Sequence, residues 1–546
     1  MCTRAESRVP LSTFSGCAPP WRTAQSLNEP RPIAGGGGPL LAIDGESLTL
    51  EEVVHVARAR GPVRLSPPAR RRVEASHAAL LRIVKAGRVA YGVTTGFGQL
   101  ENVLISAKDA RKLQENLVRS HAAGTGPPLR EEEVRAAMLI RANALGKGYS
   151  GVRPVVVDHL VRMLNAGVHP VVPSRGSLGA SGDLAPLAHI ALVMIGEGEA
   201  VVRGRRMGGR AALQAARLRP LQLEAKEGLA VLNGTAVMAG LGCLLVADAL
   251  QLLKDAEIAA SMSFEALRGS PAPFDERLSR VKKQIGQRLV AGNLLKLLRG
   301  SEIVPSHRGP HRVQDPYSLR CIPQVLGACF ESIHYARQVL EIEINSATDN
   351  PLIFSDSGEA LSGGNFHGQS LAMALDFLGL GLTVLGGFAE RRIARLVDAR
   401  LSELPPFLTE HGGLQSGMML LQYTAAALAA ENKVYAHPAS ADSIPASANQ
   451  EDHNSMGQGA ALKAREILEN ARRIVAIEYL CAAQGLEFRR PLKPGVGPRV
   501  AHRTIRGSVP KLTQDRAMAG DIEAVTGMLV SGILSRAVEA KVGRLA

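Results

Sequence analysis

The segment 176-GSLGASGDLAPL-187 places small residues around one serine, Ser181. Glycine loses more backbone freedom on folding than any other residue, so its three glycines oppose a helix or a strand. One interpretation is a plain loop between helices. The other is that the backbone reacts, because Gly182 has no Cβ and Ala180 has only a methyl group. The Gly182 nitrogen could then attack the Ala180 carbonyl carbon, and loss of the Ser181 hydroxyl would leave an electrophilic methylidene carbon.

Three further segments carry polar residues in glycine-rich or apolar surroundings. Tyr91 begins the glycine-rich stretch 91-YGVTTGFG-98, and Asn233 lies in the apolar run 226-KEGLAVLNGT-235. A buried tyrosine with a bonded hydroxyl and a capping or turn asparagine are the alternative readings of these two.

The third segment, 313-VQDPYSLRCIPQ-324, spaces Gln314, Tyr317 and Arg320 by three residues. If the segment is helical, the three side chains share one face. The planar fork of an arginine suits a carboxylate, although a surface salt bridge is an equal alternative for Arg320.

Taken together, these segments resemble the aromatic amino acid ammonia-lyases, from about Ile43 to the C-terminus. The resemblance implies that Ala180, Ser181 and Gly182 form the prosthetic group 4-methylidene-imidazol-5-one (MIO) autocatalytically, with no external cofactor. It also implies a homotetramer of packed long helices, an active site lined by more than one subunit, an amino acid substrate and a cytoplasmic location.

The resemblance also assigns roles to individual residues. Tyr91 would lie over the electrophile as a base, which requires a pKa below its ordinary value of about 10. Asn233 and Arg320 would hold the substrate carboxylate, with Gln314 also in the substrate site, and Tyr317 would assist near the prosthetic group.

Two more segments add residues to the implied site, 361-LSGGNFHGQ-369 and 449-NQEDHNSMG-457. Phe366 corresponds to a phenylalanine packed beside the prosthetic group. Glu451 corresponds to a carboxylate that faces the substrate ring in histidine lyases, and it is a second candidate for acid–base work.

The pair Ser120-His121 in 119-RSHAAGTG-126 resembles the family members that act on histidine. His121 and Glu451 could each hydrogen-bond one nitrogen of an imidazole. Thr94 and Gln369 depart from the usual histidine-lyase pattern, so a tyrosine lyase or an aromatic aminomutase is the alternative. Histidine, converted to trans-urocanate, is the predicted substrate.

A metal site is not predicted. The six cysteines include no CxxC pair, and neither Glu451, Asp452 and His453 nor His307 and His311 match a zinc pattern. Gly309 and Pro310, between the last two histidines, oppose a helix.

The formal net charge of +14 raises a second class, a basic helical nucleic-acid-binding or scaffold protein. Residues 488–516 hold eight Lys or Arg residues against one acid, Asp515. This stretch matches none of the helix-turn-helix, zinc-finger or RNA-binding signatures and has one aromatic residue, so it is interpreted as a solvated connection or subunit contact.

The elements that must position these residues are mostly helices. The sequence predicts a tail at 1–40, a mixed N-terminal domain at 41–150 and a large bundle of long helices at 151–546. Helices are expected over 67–84, 131–145, 370–400, 415–435 and 457–483, and a strand at 170–173. The uncharged run 228–247 is long enough to span a membrane, but a buried helix is the preferred interpretation.

Overall fold

The computed structural model of the protein describes residues 40–106, 108–307 and 313–546. Within these ranges the fold is mainly α, as predicted, with short strands in small sheets. The predicted tail lies outside the described residues except for Leu40, as do His311 and the side chain of His307.

The strands are three or four residues long and form four small sheets. Strand β1 pairs with β2 in parallel, while β3–β5, β4–β6–β7 and β8–β9 are antiparallel. In the described residues the strands are Leu41–Ile43 (β1), Val63–Leu65 (β2), Thr125–Pro128 (β3), Val168–Pro170 (β4), Pro173–Arg175 (β5), Glu199–Val202 (β6), Arg205–Gly208 (β7), Leu352–Phe354 (β8) and Glu359–Leu361 (β9).

Helices make up most of the described chain, and the longest extend over about thirty residues. They are Leu50–Ala59 (α1), Pro67–Lys85 (α2), Ala110–His121 (α3), Glu131–Gly146 (α4), Pro154–Asn165 (α5), Leu184–Met194 (α6), Gly209–Ala215 (α7), Glu227–Leu232 (α8), Ala236–Ala266 (α9), Glu276–Lys282 (α10), Ile285–Leu297 (α11), Tyr317–Arg320 (α12), Ile322–Glu343 (α13), Gln369–Val397 (α14), Ala399–Ser402 (α15), Met419–Tyr435 (α16), Gly457–Glu487 (α17), Val496–Arg506 (α18), Ala519–Ser531 (α19) and Ile533–Val542 (α20).

Local signals account for several helix boundaries. Thr49 and Glu52 form a capping box at the start of α1. Ser66 accepts a hydrogen bond from the Ala69 amide, and Pro67 occupies the first position of α2, where a missing N–H has no consequence. The predicted helices at 67–84, 131–145, 370–400, 415–435 and 457–483 correspond to α2, α4, α14, α16 and α17, with ends shifted by a few residues.

The bundle is built on α9, α13, α14 and α17, which pack along one another. Gly379 and Gly386 of α14 face α17, where an added Cβ would lie 3.2 Å from the side chains of Ile467 and Ile474. Glycine at these positions therefore allows the two helices to approach closely. Because α4 packs against α9, one hydrophobic core extends across residue 150, and the predicted domain boundary there does not interrupt it.

Two helices, α9 and α14, are long and apolar enough to cross a membrane. In their most apolar windows, 78% and 56% of the residues are buried inside the protein. Their positions in the bundle account for their composition, in agreement with the buried-helix interpretation of 228–247.

Two sequence predictions are wrong in detail. The run 228–247 is not one helix, because α8 ends at Leu232 and α9 begins at Ala236. The predicted strand at 170–173 is instead the junction between β4, which ends at Pro170, and β5, which begins at Pro173. The interruption between α8 and α9 matters most, because it positions Asn233 and Gly234.

Candidate active site

The segment around Ser181 connects β5 to α6 and is pressed against the turn between α8 and α9. The amide of Asp183 donates to the carbonyl oxygen of Gly234 over 2.8 Å. Gly182 has a left-handed φ of +74°, and a Cβ there would lie 2.2 Å from the same oxygen. Only glycine fits this position, both for its dihedral angle and for its contact.

Asp183 fixes the other end of the segment. Its carboxylate is fully buried and accepts hydrogen bonds from the amides of Val237 and Met238, each over 2.9 Å, at the start of α9. The Ser177 hydroxyl also donates to it, over 3.2 Å. Burial raises the pKa of Asp183 to about 7, while these hydrogen bonds act in the opposite direction.

Asn233 ends α8 and faces Ser181. Its side-chain Nδ2 donates to the Ser181 carbonyl oxygen over 2.9 Å. Its Oδ1 is buried without a partner among the described residues. A buried amide oxygen without a partner is unfavourable, so this atom points to a donor supplied by a ligand. Asn233 is thus a turn asparagine that also lines the cavity over Ser181.

A cavity of about 390 Å³ opens over Ser181. It brings together six residues selected from the sequence, namely Tyr91, His121, Ser181, Asn233, Phe366 and Glu451. The Ser181 hydroxyl donates to Glu451 Oε1 over 3.2 Å. The two residues are 270 positions apart in sequence, so the fold has brought a carboxylate to Ser181, the candidate precursor of the electrophilic carbon.

Tyr91 differs from the expectation for a base. Its hydroxyl oxygen accepts a hydrogen bond from the Gly98 amide over 2.9 Å, and its ring packs edge-on against Phe97. Burial raises the pKa of Tyr91, and the charges of Glu451 and Glu101 raise it further, against the effect of the Gly98 amide. The prediction of a lowered pKa for Tyr91 is therefore wrong for a single chain. The residues that line the cavity include no lysine or arginine that could lower it.

His121 is the last residue of α3, and its Nδ1 lies 3.1 Å from the Ser120 hydroxyl. Burial lowers the pKa of His121, so the imidazole is neutral at pH 7. A neutral ring has one donor nitrogen and one acceptor nitrogen, which is the pairing that a second imidazole needs.

Gln314, Tyr317 and Arg320 lie away from this cavity. They line a separate open pocket of about 490 Å³ with Arg395, Arg400 and Leu401. The expected shared helical face is wrong for Gln314, because α12 begins only at Tyr317. The Arg320 guanidinium stacks 4.5 Å above the Tyr317 ring, and the Arg320 Nε is buried without a partner in the described chain. One chain alone therefore does not bring this group to Ser181.

The two residues that depart from the histidine-lyase pattern do not line the cavity. The Thr94 hydroxyl accepts from the Ala90 amide and donates to the Arg88 carbonyl within its own turn. The side-chain amide nitrogen of Gln369, Nε2, donates to the Ser440 carbonyl oxygen over 3.1 Å. Both departures serve local structure here.

Sequence reasoning missed five polar residues of the cavity: Glu101, Asn350, Ser362, Ser447 and Gln450. Gln450 could have been found, since it precedes Glu451 in the same segment. Glu101 and Asn350 come from loops and Ser447 begins a short 3₁₀-helix, and none of them lies in a periodic pattern, so only the fold reveals them.

Most cations of the basic stretch 488–516 have partners within the chain, although the side chains of Arg490 and Lys493 remain largely exposed. Five of its eight cations contact acids or carbonyl groups: Arg489, Arg490, Lys493, Arg506 and Arg516. These partners support the interpretation as a connection.

Within residues 40–106, 108–307 and 313–546 no group of three or more His, Cys, Asp or Glu side chains could hold a metal ion.

Replacement of Gly182 by alanine is expected to prevent the attack of its nitrogen on the Ala180 carbonyl carbon, because the new Cβ would clash with the Gly234 carbonyl. We expect destabilisation of about 1–3 kcal/mol from the dihedral strain alone, an unmodified protein mass and no turnover. Gly204→Ala is the matched control, since Gly204 has φ +76° with nothing within 4 Å of the added Cβ. A modified, active Gly182→Ala protein would contradict the importance of this contact.

Fold and cavity together describe a helical protein with an enzyme-like site. The sequence model of the aromatic amino acid lyase family matches residues 48–507, and the chain belongs to this family. It is 53% identical to the histidine ammonia-lyase of Alkaliphilus oremlandii over 91% of this chain and 98% of that protein.

Solved structures of the family are also similar. A histidine ammonia-lyase from Trypanosoma cruzi is 40% identical, with a TM-score of 0.85 over 92% of this chain and 95% of that chain. A tyrosine aminomutase from Streptomyces globisporus is 39% identical, with a TM-score of 0.88 over 93% of this chain and 100% of that chain. The family's helical fold is therefore common to relatives with different named activities.

Proposed function

We propose that the protein is a histidine ammonia-lyase, which eliminates ammonia from L-histidine and releases trans-urocanate. The observation that carries the proposal is the cavity in which His121 and Glu451 accompany Ser181. A small aromatic ring with two nitrogens can be held by polar partners on both sides, which a phenyl ring cannot use. The identity of 53% to a histidine ammonia-lyase across nearly the whole chain supports the same substrate.

The residues around Ser181 fit the MIO group. Gly182 is pressed against Gly234, and Asn233 Nδ2 holds the Ser181 carbonyl oxygen, which remains a carbonyl oxygen in the ring. Once formed from Ala180, Ser181 and Gly182, the group supplies an electrophilic carbon for the substrate amine, so no external cofactor is required.

Two residues of the cavity are candidates to move the substrate's β-proton. Tyr91 corresponds to the tyrosine that serves as the base in the family, but its pKa is raised in a single chain. Glu451 lies at the Ser181 hydroxyl and is the second candidate. Phe366 lines the same cavity and limits the room for the substrate ring.

A homotetramer completes this site in our proposal. Arg320, Gln314 and Tyr317 lie outside the cavity of their own chain, so a second copy would supply the cation for the substrate carboxylate. On α14, four apolar side chains are 43–55% exposed at helical spacing: Met373, Phe377, Leu380 and Val384. An exposed apolar stripe of this kind fits a subunit interface. The assembly is proposed to be cytoplasmic, with no nucleic-acid or membrane partner.

The substrate assignment is tested by offering L-histidine, L-tyrosine and L-phenylalanine separately and following the absorbance of each conjugated product. We expect urocanate from histidine and little product from the other two. Formation of coumarate alone would overturn the assignment and favour a tyrosine-specific member of the family.

His121→Leu is expected to lower kcat/KM for L-histidine by about 10- to 100-fold, because a buried ring nitrogen of the substrate loses its partner. The value for L-phenylalanine should not fall in parallel. His411→Leu, at an exposed position outside the cavity, is the control. An equal loss for both substrates would show that His121 does not recognise the imidazole ring of the substrate.

The raised pKa of Tyr91 predicts a pH dependence. If the phenolate is the base, kcat/KM rises with pH towards that raised pKa. Glu101→Gln removes one charge that raises the pKa of Tyr91, so the limb over which kcat/KM rises with pH should move to lower pH. Glu523→Gln, on the distant helix α19, should leave the limb in place. A limb that stays fixed or moves to higher pH in Glu101→Gln would exclude this electrostatic link.

A further inference from the structure

A group of buried charges lies behind the turn that faces Ser181. Lys226, at the start of α8, donates to Asp349 Oδ2 over 2.7 Å, and the two side chains are 0% and 2% exposed. Arg141 of α4 is equally buried and is attracted by the same carboxylate. Two buried cations thus share one buried anion. None of the three side chains lines the cavity over Ser181.

These side chains hold both ends of the six-residue helix α8. Lys226 anchors its start to Asp349. In the last turn of α8, Arg141 donates to the Ala230 carbonyl oxygen, and over 3.3 Å it also donates to the hydroxyl of Thr348. Thr348 and Asp349 are adjacent, so one short segment fixes α8 at two points.

The same contacts form the wall behind Gly234. A Cβ on Gly234 would lie 2.4 Å from Arg141 Nη1 and 2.6 Å from Thr348 Oγ1. On the opposite side, the Gly234 carbonyl contacts Gly182 and accepts from Asp183. The turn 233–234 is therefore enclosed between the buried charges and the segment 181–183, and it cannot move back without displacing Arg141.

Fold stability alone is a weak reason for such a group. Replacing buried ion pairs by apolar residues is often neutral or stabilising, because desolvation offsets the attraction. Ring closure, by contrast, depends steeply on the position of the reacting atoms. We propose that Arg141, Lys226, Thr348 and Asp349 are positioning residues that hold the 233–234 turn against 181–183 for ring closure. This inference rests on the proposed function.

The reaction that they assist is balanced without an oxidant or a co-reactant. The Gly182 nitrogen bonds to the Ala180 carbonyl carbon, and the carbonyl oxygen leaves as water with the amide hydrogens of Ser181 and Gly182. A second water takes the Ser181 hydroxyl and its Cα hydrogen. The product is two waters lighter than the sequence.

The experiment measures the rate of that mass loss. The full chain is made by cell-free synthesis, samples are denatured at intervals, and their intact masses are recorded. Lys226→Met leaves one buried cation, Arg141, with one anion, Asp349, so we expect the variant to fold. Its ring closure should be roughly tenfold slower than that of the wild type, the scale of effect expected for slight misplacement.

Thr348→Val provides a second variant that changes no charge. It removes the hydroxyl that accepts from Arg141, and ring closure should again slow markedly. The matched control is Arg392→Met/Glu478→Leu, which replaces another fully buried ion pair, between α14 and α17. That variant should close its ring at the wild-type rate, whatever its thermal midpoint.

The outcomes are distinct. Slow closure in a folded Lys226→Met or Thr348→Val protein, with normal closure in the control, supports the inference. Wild-type closure in Thr348→Val, or in a folded Lys226→Met, overturns it, and so does equally slow closure in the control. If the wild type never loses two waters, the proposed function itself fails, which is a different result from normal closure in every variant.

Discussion

Ser181→Ala is expected to lower the rate of ammonia release from L-histidine by at least about 10³-fold, the scale seen when a residue of the covalent machinery is removed. Alanine has no hydroxyl to lose, so no methylidene carbon can form, while the cavity and its other side chains remain. Spectrophotometric assay of urocanate, together with thermal unfolding, separates this loss from a loss of fold.

The control for this variant is Ser531→Ala. Ser531 lies on α19, where its hydroxyl donates only to the Met528 carbonyl of the same helix. It should retain wild-type activity. A Ser181→Ala protein with full activity would rule out a role for Ser181 as precursor and, with it, the proposed reaction.

Arg320→Met is expected to have the second largest effect. Loss of a buried partner for the substrate carboxylate corresponds to about 2–5 kcal/mol, or roughly 30- to 5,000-fold in kcat/KM. Since Arg320 and Ser181 line different pockets of one chain, each site would combine them from different copies. Activity should therefore return when Ser181→Ala and Arg320→Met chains are refolded together.

The recovery has an expected size. In an equal random mixture, roughly a quarter of the sites would receive an intact Ser181 from one copy and an intact Arg320 from another. Ser181→Ala mixed with Tyr91→Phe is the matched control, because both residues line the cavity of one chain and every site would keep one defect. Equal behaviour of the two mixtures would contradict a shared site.

Much of the fold follows from local signals in the sequence. The long helices α14 and α17 carry apolar residues at helical spacing over four or more turns, and α2 has both a serine cap and a proline at its first position. The candidate residues Tyr91, His121, Ser181, Asn233, Phe366 and Glu451 were also predicted, because each lies in a segment that resembles the family.

Other features depend on contacts between distant segments. The break between α8 and α9 falls in an apolar run, and it forms because Gly234 packs between Gly182 and Arg141. The upward direction of the Tyr91 pKa shift depends first on burial and then on the charge of Glu451, 360 residues away in sequence. Likewise, the separation of Arg320 from Ser181 reflects the packing of α12 on α14, which no local pattern encodes.

The intact mass of the purified full-length protein shows whether Ala180, Ser181 and Gly182 have closed into the MIO ring. We expect a mass lower than that of the sequence by two waters, with the loss confined to the peptide that contains these three residues. A protein whose mass equals that of its sequence, and whose Ser181 peptide is unmodified, would rule out the MIO group and the proposed reaction.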